Sequence, residues 1–204
     1  MIPVKEAKSI IHKHIPLSGT ETVLLKDAGN RILAQDIIAT FPMPSFDNSA
    51  MDGFAVRAVD TKGTDQSLPV TLKMVGVSSA GSPGDITLGP GECAQCMTGA
   101  IIPNGADAIA MVEDTSGFSD TDSVQIFQEA KIGKHIRKKG EEIQDGDVLI
   151  SKGTHITPNE IGTLATFGYG EISVAQKPRI AIFGTGDELV EPGVELKPGQ
   201  IYNS

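Results

Sequence analysis

At 204 residues, with 39% hydrophobic and 21% charged side chains, the chain has ordinary globular composition and room for one or two domains. Its net charge of -9 argues against non-specific nucleic-acid binding, which depends on Lys and Arg neutralising phosphates. No stretch approaches the roughly eighteen apolar residues of a membrane span, and two cysteines are too few for a disulfide framework, so a cytoplasmic protein is the expectation. Trp is absent and aromatics make up only 4%, which leaves packing to Ile, Val, Leu, Ala and Met. The 23 Gly and 12 Pro imply many turns and short elements, as in a β-rich body.

In chain order, Pro3 suits a first helical position. Val4, Ala7, Ile10, Ile11 and Ile15 recur on one side of a helix that Pro16 ends. Thr22 to Leu25 reads as a short strand, Asp27 as the cap of a short helix containing Arg31 to Ala34, and Asp36 to Ala39 as extended. From Gly53 onward come short β-prone runs: Phe54 to Val56, Val70 to Val77, Ala108 to Val112 and Val124 to Phe127. Turns such as Gly81-Ser82-Pro83-Gly84 separate them, so a small barrel or sandwich is predicted. Near Ile136 the character reverts. A helix follows with Thr157 as cap, Pro158 at its first position and Glu160 completing a capping box, and Gly168 stops it. Arg179 to Phe183 then reads as the first strand of an α/β unit, with no second strand or crossover expected after Glu188.

The fold class expected is therefore mixed α+β. Residues 1–44 and 136–176 form a small α/β segment in two parts, residues 45–135 an inserted β-rich, barrel-like domain, and residues 177–204 the start of an incomplete α/β domain.

The stretch Phe41 to Arg57, FPMPSFDNSAMDGFAVR, is where chemistry is expected. Pro42 and Pro44 stiffen the approach, and Asp47, Asn48, Ser49 and Asp52 crowd short polar groups into one loop. The same residues also suit an Asx-turn that merely enters a strand. Cys93 and Cys96 invite a redox or zinc reading. A reactive thiol wants a helix N-terminus and zinc wants two further ligands, whereas Cys93 to Cys96 lies in a strand or turn, where positions three apart face opposite ways. Thr98, Asp107, Glu113 and Asp114 surround a turn that either serves structure alone or holds a hydrated Mg²⁺. Lys131 to Lys139 concentrates positive charge, as a solvated loop or a landing surface for an oxyanion. Asp187 and Glu188 follow a strand-like run, where open α/β sheets bind cations or substrate.

Four blocks in this order, FPMPSFDNSAMDGFAVR, MTGAIIPNGADAIAMVE, IRKKGEEIQDGDVLISKGTHITPNEIGTLATFG and PRIAIFGTGDELVEPGVELKPGQIYNS, resemble the MoeA family of molybdopterin molybdenumtransferases, which includes the E domains of gephyrin-type proteins. The resemblance implies molybdenum cofactor biosynthesis: molybdenum from molybdate is placed on adenylylated molybdopterin with Mg²⁺. It implies a homodimer and, as a further partner, the adenylyltransferase that delivers the adenylate. Carried over by motif, Asp52, Thr98 and Glu188 are the expected catalytic residues. Asp52 and Glu188 are the expected metal ligands, and Arg137, Ser49 and Asp187 the expected substrate-binding residues. Asp47, Asp107 and Glu113 are secondary candidates. Most of the family's pterin-binding domain and its C-terminal domain have no counterpart here, so a truncated form, inactive alone, is expected; the alternative is a non-catalytic dimerisation or scaffold module.

Overall fold

The computed structural model describes residues 2–16, 18–119 and 121–204. In chain order it contains helix α1 (Val4–His14) and strands β1 (Thr20–Leu24), β2 (Ile37–Ile38), β3 (Asn48–Ser49), β4 (Gly53–Val56) and β5 (Val70–Ser78). Strands β6 (Glu92–Cys96), β7 (Ala108–Met111), β8 (Ser123–Ile126), β9 (Ile136–Arg137) and β10 (Val148–Ile150) follow. Helix α2 (Pro158–Thr166) and strands β11 (Glu171–Ala175), β12 (Leu189–Val190) and β13 (Ile201–Tyr202) complete the list. Among the described residues the fold is mixed, mostly sheet with two α-helices, as expected. No helix among the described residues is long and apolar enough to cross a membrane.

The chain divides into two compact units. The first comprises Met1–Gln35, Lys152–Gly162 and Tyr169–Ser204. Within it α1 forms where the periodicity places it, one residue later than Pro3, which is the N-cap; His12, Lys13 and His14 complement the dipole in its last turn. None of its residues is buried, so its apolar side lies open. Strand β1 pairs antiparallel with β11, and Leu33 bridges Val174, both buried.

The expected short helix at Arg31 to Ala34 does not form. A 3-10 turn at Leu25–Asp27 replaces it. The Leu33 N–H donates to the Thr154 carbonyl and the Ala34 N–H to the Ser173 carbonyl, both at 2.9 Å. These long-range pairings outweigh the local capping signal of Asp27. The guanidinium of Arg31, itself buried, reaches Glu21 and donates to the Ala175 carbonyl at 2.7 Å.

The expected strand Arg179 to Phe183 likewise makes no ladder. Ile180, Ile182 and Phe183 are 77%, 90% and 83% exposed, because this apolar run has no strand beside it among the described residues. The sequence also missed β12 and β13, which pair in parallel, Leu189 with Ile201 and Val190 with Tyr202.

The second unit, Asp36–Ser151 with Thr163–Gly168, is built on a five-stranded sheet in the order β7-β4-β6-β5-β8. Only β5 and β6 run parallel. The sheet is curled and open, half a barrel with β7 and β8 as its edges. Both faces of its centre are buried. Phe54, Val56, Leu72, Cys93, Ala108 and Ala110 pack on one side, and Ala55, Ala94, Cys96, Ala100 and Ile109 on the other. That is why Gly53–Val56 is buried throughout and reads as a continuous apolar run.

Cys93 and Cys96 therefore face opposite cores, as strand geometry requires. Burial pushes their thiols up to about 12 and about 11, so neither supplies the thiolate that redox chemistry needs. Elsewhere in this unit β2 pairs with β10 and β3 with β9, and Phe41 stacks on Phe167 with ring centroids 5.1 Å apart.

Helix α2 carries the expected capping box. The Thr157 N–H donates to Glu160 Oε2 at 2.8 Å and the Asn159 N–H to Thr157 Oγ1 at 3.3 Å, while Gly168 takes φ +77° just past the end.

Candidate functional site

The DNSAMD loop is held from both sides by distant chain. On one side β3 pairs antiparallel with β9, setting Asn48 opposite Arg137 and Ser49 opposite Ile136, and the Ala50 N–H donates to the His135 carbonyl at 2.9 Å. On the other side the Ser49 N–H donates to the Ala100 carbonyl at 3.0 Å. The Gly99 N–H donates to the Ser49 carbonyl at 2.8 Å, and the Ile102 N–H to the Asp47 carbonyl at 3.1 Å. Residues 47–50 are thus the middle rung of three segments, with the MTGA loop and the IRKK run as its neighbours.

The carboxylates reinforce this lacing. Asp47 accepts from Lys138 Nζ and from the Lys139 N–H, each at 2.8 Å. The Lys138 hydrogen bond, then that of the Lys139 amide, holds its carboxyl below the usual range. Asp52 Oδ1 accepts from both the N–H and the hydroxyl of Thr98, each at 2.8 Å and 46 residues away. Neither carboxylate closes the local Asx-turn that these residues also suit. The Thr98 amide, then its hydroxyl, lowers the Asp52 pKa from its ordinary 3.8. Asp52 and Thr98 are both exposed, and Asp52 Oδ2 has no hydrogen bond among the described residues. The arrangement presents an ionised oxygen outward on a carboxylate whose other oxygen is fixed.

Because the Asp52 pKa is lowered on folding, its contribution to stability is present above 3.8 and is lost as pH falls through the folded value. Thr98→Val removes the hydroxyl donor and keeps the amide. The Asp52 carboxyl should then titrate higher than in the wild type, yet still below 3.8, in a carbon-13 NMR titration. An unchanged titration would mean that the hydroxyl bond is not made in solution.

The other expected residues are distributed unevenly. Arg137 is exposed on β9 and makes no ion pair among the described residues, so its guanidinium is available. Ser49, expected to bind substrate, is instead fully buried, and its hydroxyl donates to the Met51 carbonyl at 2.6 Å. Its polarity serves the turn into Asp52. Asp107 accepts from the Ala58 N–H at 2.6 Å beyond the far end of β4, and Glu113 lines a separate cleft with Asp114. Asp187 and Glu188 lie in a turn of the first unit, where the Glu188 carbonyl accepts from the Ile201 N–H at 2.8 Å.

Gly53, which the sequence suggests merely closes the loop with Asp52 and opens the β-prone region, has a packing role as well. A Cβ there would lie 2.0 Å from the Ala110 carbonyl oxygen, so only glycine lets β4 approach β7 directly after Asp52. Asp-Gly reads as turn chemistry in sequence, and that hid the packing role.

Residues 2–168 match the MoeA N-terminal region (domain I and II). The chain is 41% identical over 203 residues to the molybdopterin molybdenumtransferase of Staphylococcus aureus (strain COL), covering 100% of this chain and 48% of that protein. The same identity over 205 residues relates it to the molybdopterin molybdenumtransferase of Bacillus subtilis (strain 168), with the same coverage. Among solved structures, the molybdopterin biosynthesis MoeA protein of Pyrococcus horikoshii superposes with a TM-score of 0.83 at 36% identity, over 100% of this chain and 52% of that one. The chain spans about half the length of the curated relatives it matches. With 2–168 matched and the fold shared over its whole length, the chain belongs to the MoeA family.

Proposed function

We propose that this chain is the N-terminal portion of a molybdopterin molybdenumtransferase, which moves molybdenum from molybdate onto adenylylated molybdopterin. The reading rests on Asp52 and Thr98, two residues distant in sequence joined by paired 2.8 Å hydrogen bonds on an exposed, braced loop. The relatives' shared name supplies the substrate class.

In this reading Asp52 contributes one carboxylate to Mg²⁺. That cation takes one or two protein carboxylates and completes its shell with water and substrate phosphate. The outward Oδ2 of an ionised Asp52 suits that requirement, and no group of three or more His, Cys, Asp or Glu among the described residues suggests an all-protein cage. Mg²⁺ would supply charge neutralisation for cleavage of the adenylate. Thr98 fixes the carboxylate's orientation through Oδ1. Arg137 binds a phosphate or molybdate oxygen pair as a planar fork. The remaining residues of this proposal are Glu188, as a metal ligand, and Asp187, as a substrate contact.

We assign the site to a cleft formed by two protomers of a cytoplasmic homodimer, supplied by an adenylyltransferase. The domain division that goes with it makes 45–135 the inserted β domain, within which all five strands of the main sheet fall. Residues 1–44 and 136–176 form the discontinuous α/β domain, and 177–204 begin the pterin-binding domain.

A chimera tests this directly. This chain, replacing the matching segment of the Bacillus subtilis relative, should restore molybdenum cofactor formation in a strain lacking that relative. A soluble, folded chimera that restores nothing would overturn the reading.

A further inference from the structure

Six residues between 131 and 139 carry Lys, Arg or His side chains, yet their situations differ. Lys138 is tied to Asp47 at 2.8 Å, whereas Arg137, its neighbour, makes no ion pair among the described residues. Strand β9 consists of Ile136 and Arg137 alone. Ile136 packs against the core that contains Ala55 and Ile109, so strand alternation turns Arg137 the other way, outward. So short a pairing is marginal without added support. Two carboxylates supply it: Glu141 Oε2 accepts from the Lys138 N–H at 2.7 Å, and Asp47, from across the β3–β9 pair, takes the Lys139 N–H at 2.8 Å, where the main-chain ladder has ended, and the Lys138 ammonium beside it. The Asp47 carbonyl is itself fixed by the Ile102 N–H at 3.1 Å. Asp47 thus extends the β3–β9 pairing by two side-chain bonds immediately beyond Arg137.

We propose that Asp47 is a positioning residue: by clamping Lys138 and Lys139 it fixes the end of β9 and selects Arg137, instead of its lysine neighbour, as the cation offered to the oxyanionic substrate. This rests on the assignment of Arg137 to substrate above. Selection matters chemically. A guanidinium offers a planar pair of donors to two oxyanion oxygens, whereas an ammonium is a hydrated point charge. Asp47 touches no substrate in this scheme and acts only through Arg137.

Two measurements test it. In residues 1–204, Asp47→Ala should speed hydrogen exchange at the Arg137 amide by about tenfold, while Asp47→Asn, which keeps an acceptor for the Lys139 N–H, restores most of the protection. In the chimera, Asp47→Ala should raise KM for the adenylylated substrate by about tenfold with little change in kcat, the signature of lost uniform binding. Arg137→Ala should do the same, and the double variant should be no worse than Arg137→Ala alone. Additive effects, or unchanged exchange at Arg137, would sink the proposal. So would Asp47→Ala acting by global unfolding, seen as a lowered melting temperature with apparent kcat reduced and KM unchanged. A chimera without activity overturns the functional reading instead, and the exchange experiment still decides whether Asp47 holds β9.

Discussion

Asp52→Ala should lower turnover of the chimera by about a hundredfold or more while leaving its melting temperature nearly unchanged. The magnitude is that expected when one preorganised charged group is removed from a phosphoryl-transfer site. The stability half follows from exposure. Asp52 lies in the loop before β4 and its bonds to Thr98 are solvent-accessible, so water replaces the lost acceptor at the Thr98 amide and hydroxyl. Asp52→Asn sharpens the test. The amide oxygen retains a neutral acceptor for Thr98 while the charge is gone, so a loss as large as that of alanine assigns the effect to charge, and full activity would remove the metal-ligand role. Unfolding of Asp52→Ala at ordinary temperature would instead make the residue a structural brace.

Gly53→Ala, one residue on, should behave in the opposite sense and destabilise the second unit by about 1–3 kcal/mol, the usual cost of overpacking. Its added Cβ would meet the Ala110 oxygen at 2.0 Å, with the Ala110 carbonyl carbon and Met111 Cα each at 3.0 Å. All three are backbone atoms and none can swing aside as a side-chain tip would. Relief must come from separating β4 from β7 at the Gly53–Met111 pair, which moves Asp52 with it. Urea denaturation of residues 1–204 measures the loss, and the carbon-13 titration of Asp52 reports whether its contact with Thr98 survives. A variant as stable as the wild type would show that the two strands do not approach this closely.

The contrast between neighbouring residues reflects what the sequence carries. Strands β4, β5, β7 and β8 were legible from short β-prone runs bounded by Gly and Pro, and α2 from Thr157, Pro158 and Glu160. The opposite facing of Cys93 and Cys96 followed from period alone. Arg31 to Ala34 was misread because its donors are claimed by Thr154 and Ser173, more than a hundred residues on, which no local signal encodes. The same limit governs the site. Asp52 and Thr98 each lie in a turn-like stretch, and only their meeting across 46 residues makes a pair; motif resemblance named both, and no periodicity could have joined them. Ser49 shows the converse. Its motif position suggested a ligand contact, while burial commits its hydroxyl to the Met51 carbonyl.

The bracing of residues 47–50 between the MTGA loop and β9 also has a thermodynamic meaning. A loop tied by main-chain bonds on both flanks and by Asp47 across to Lys139 has already given up its backbone freedom in the unliganded protein. A ligand held beside it at Arg137 or Asp52 would require little further ordering of this segment, so more of the contact energy would appear as affinity. Its calorimetric signature would be a small entropic penalty on association.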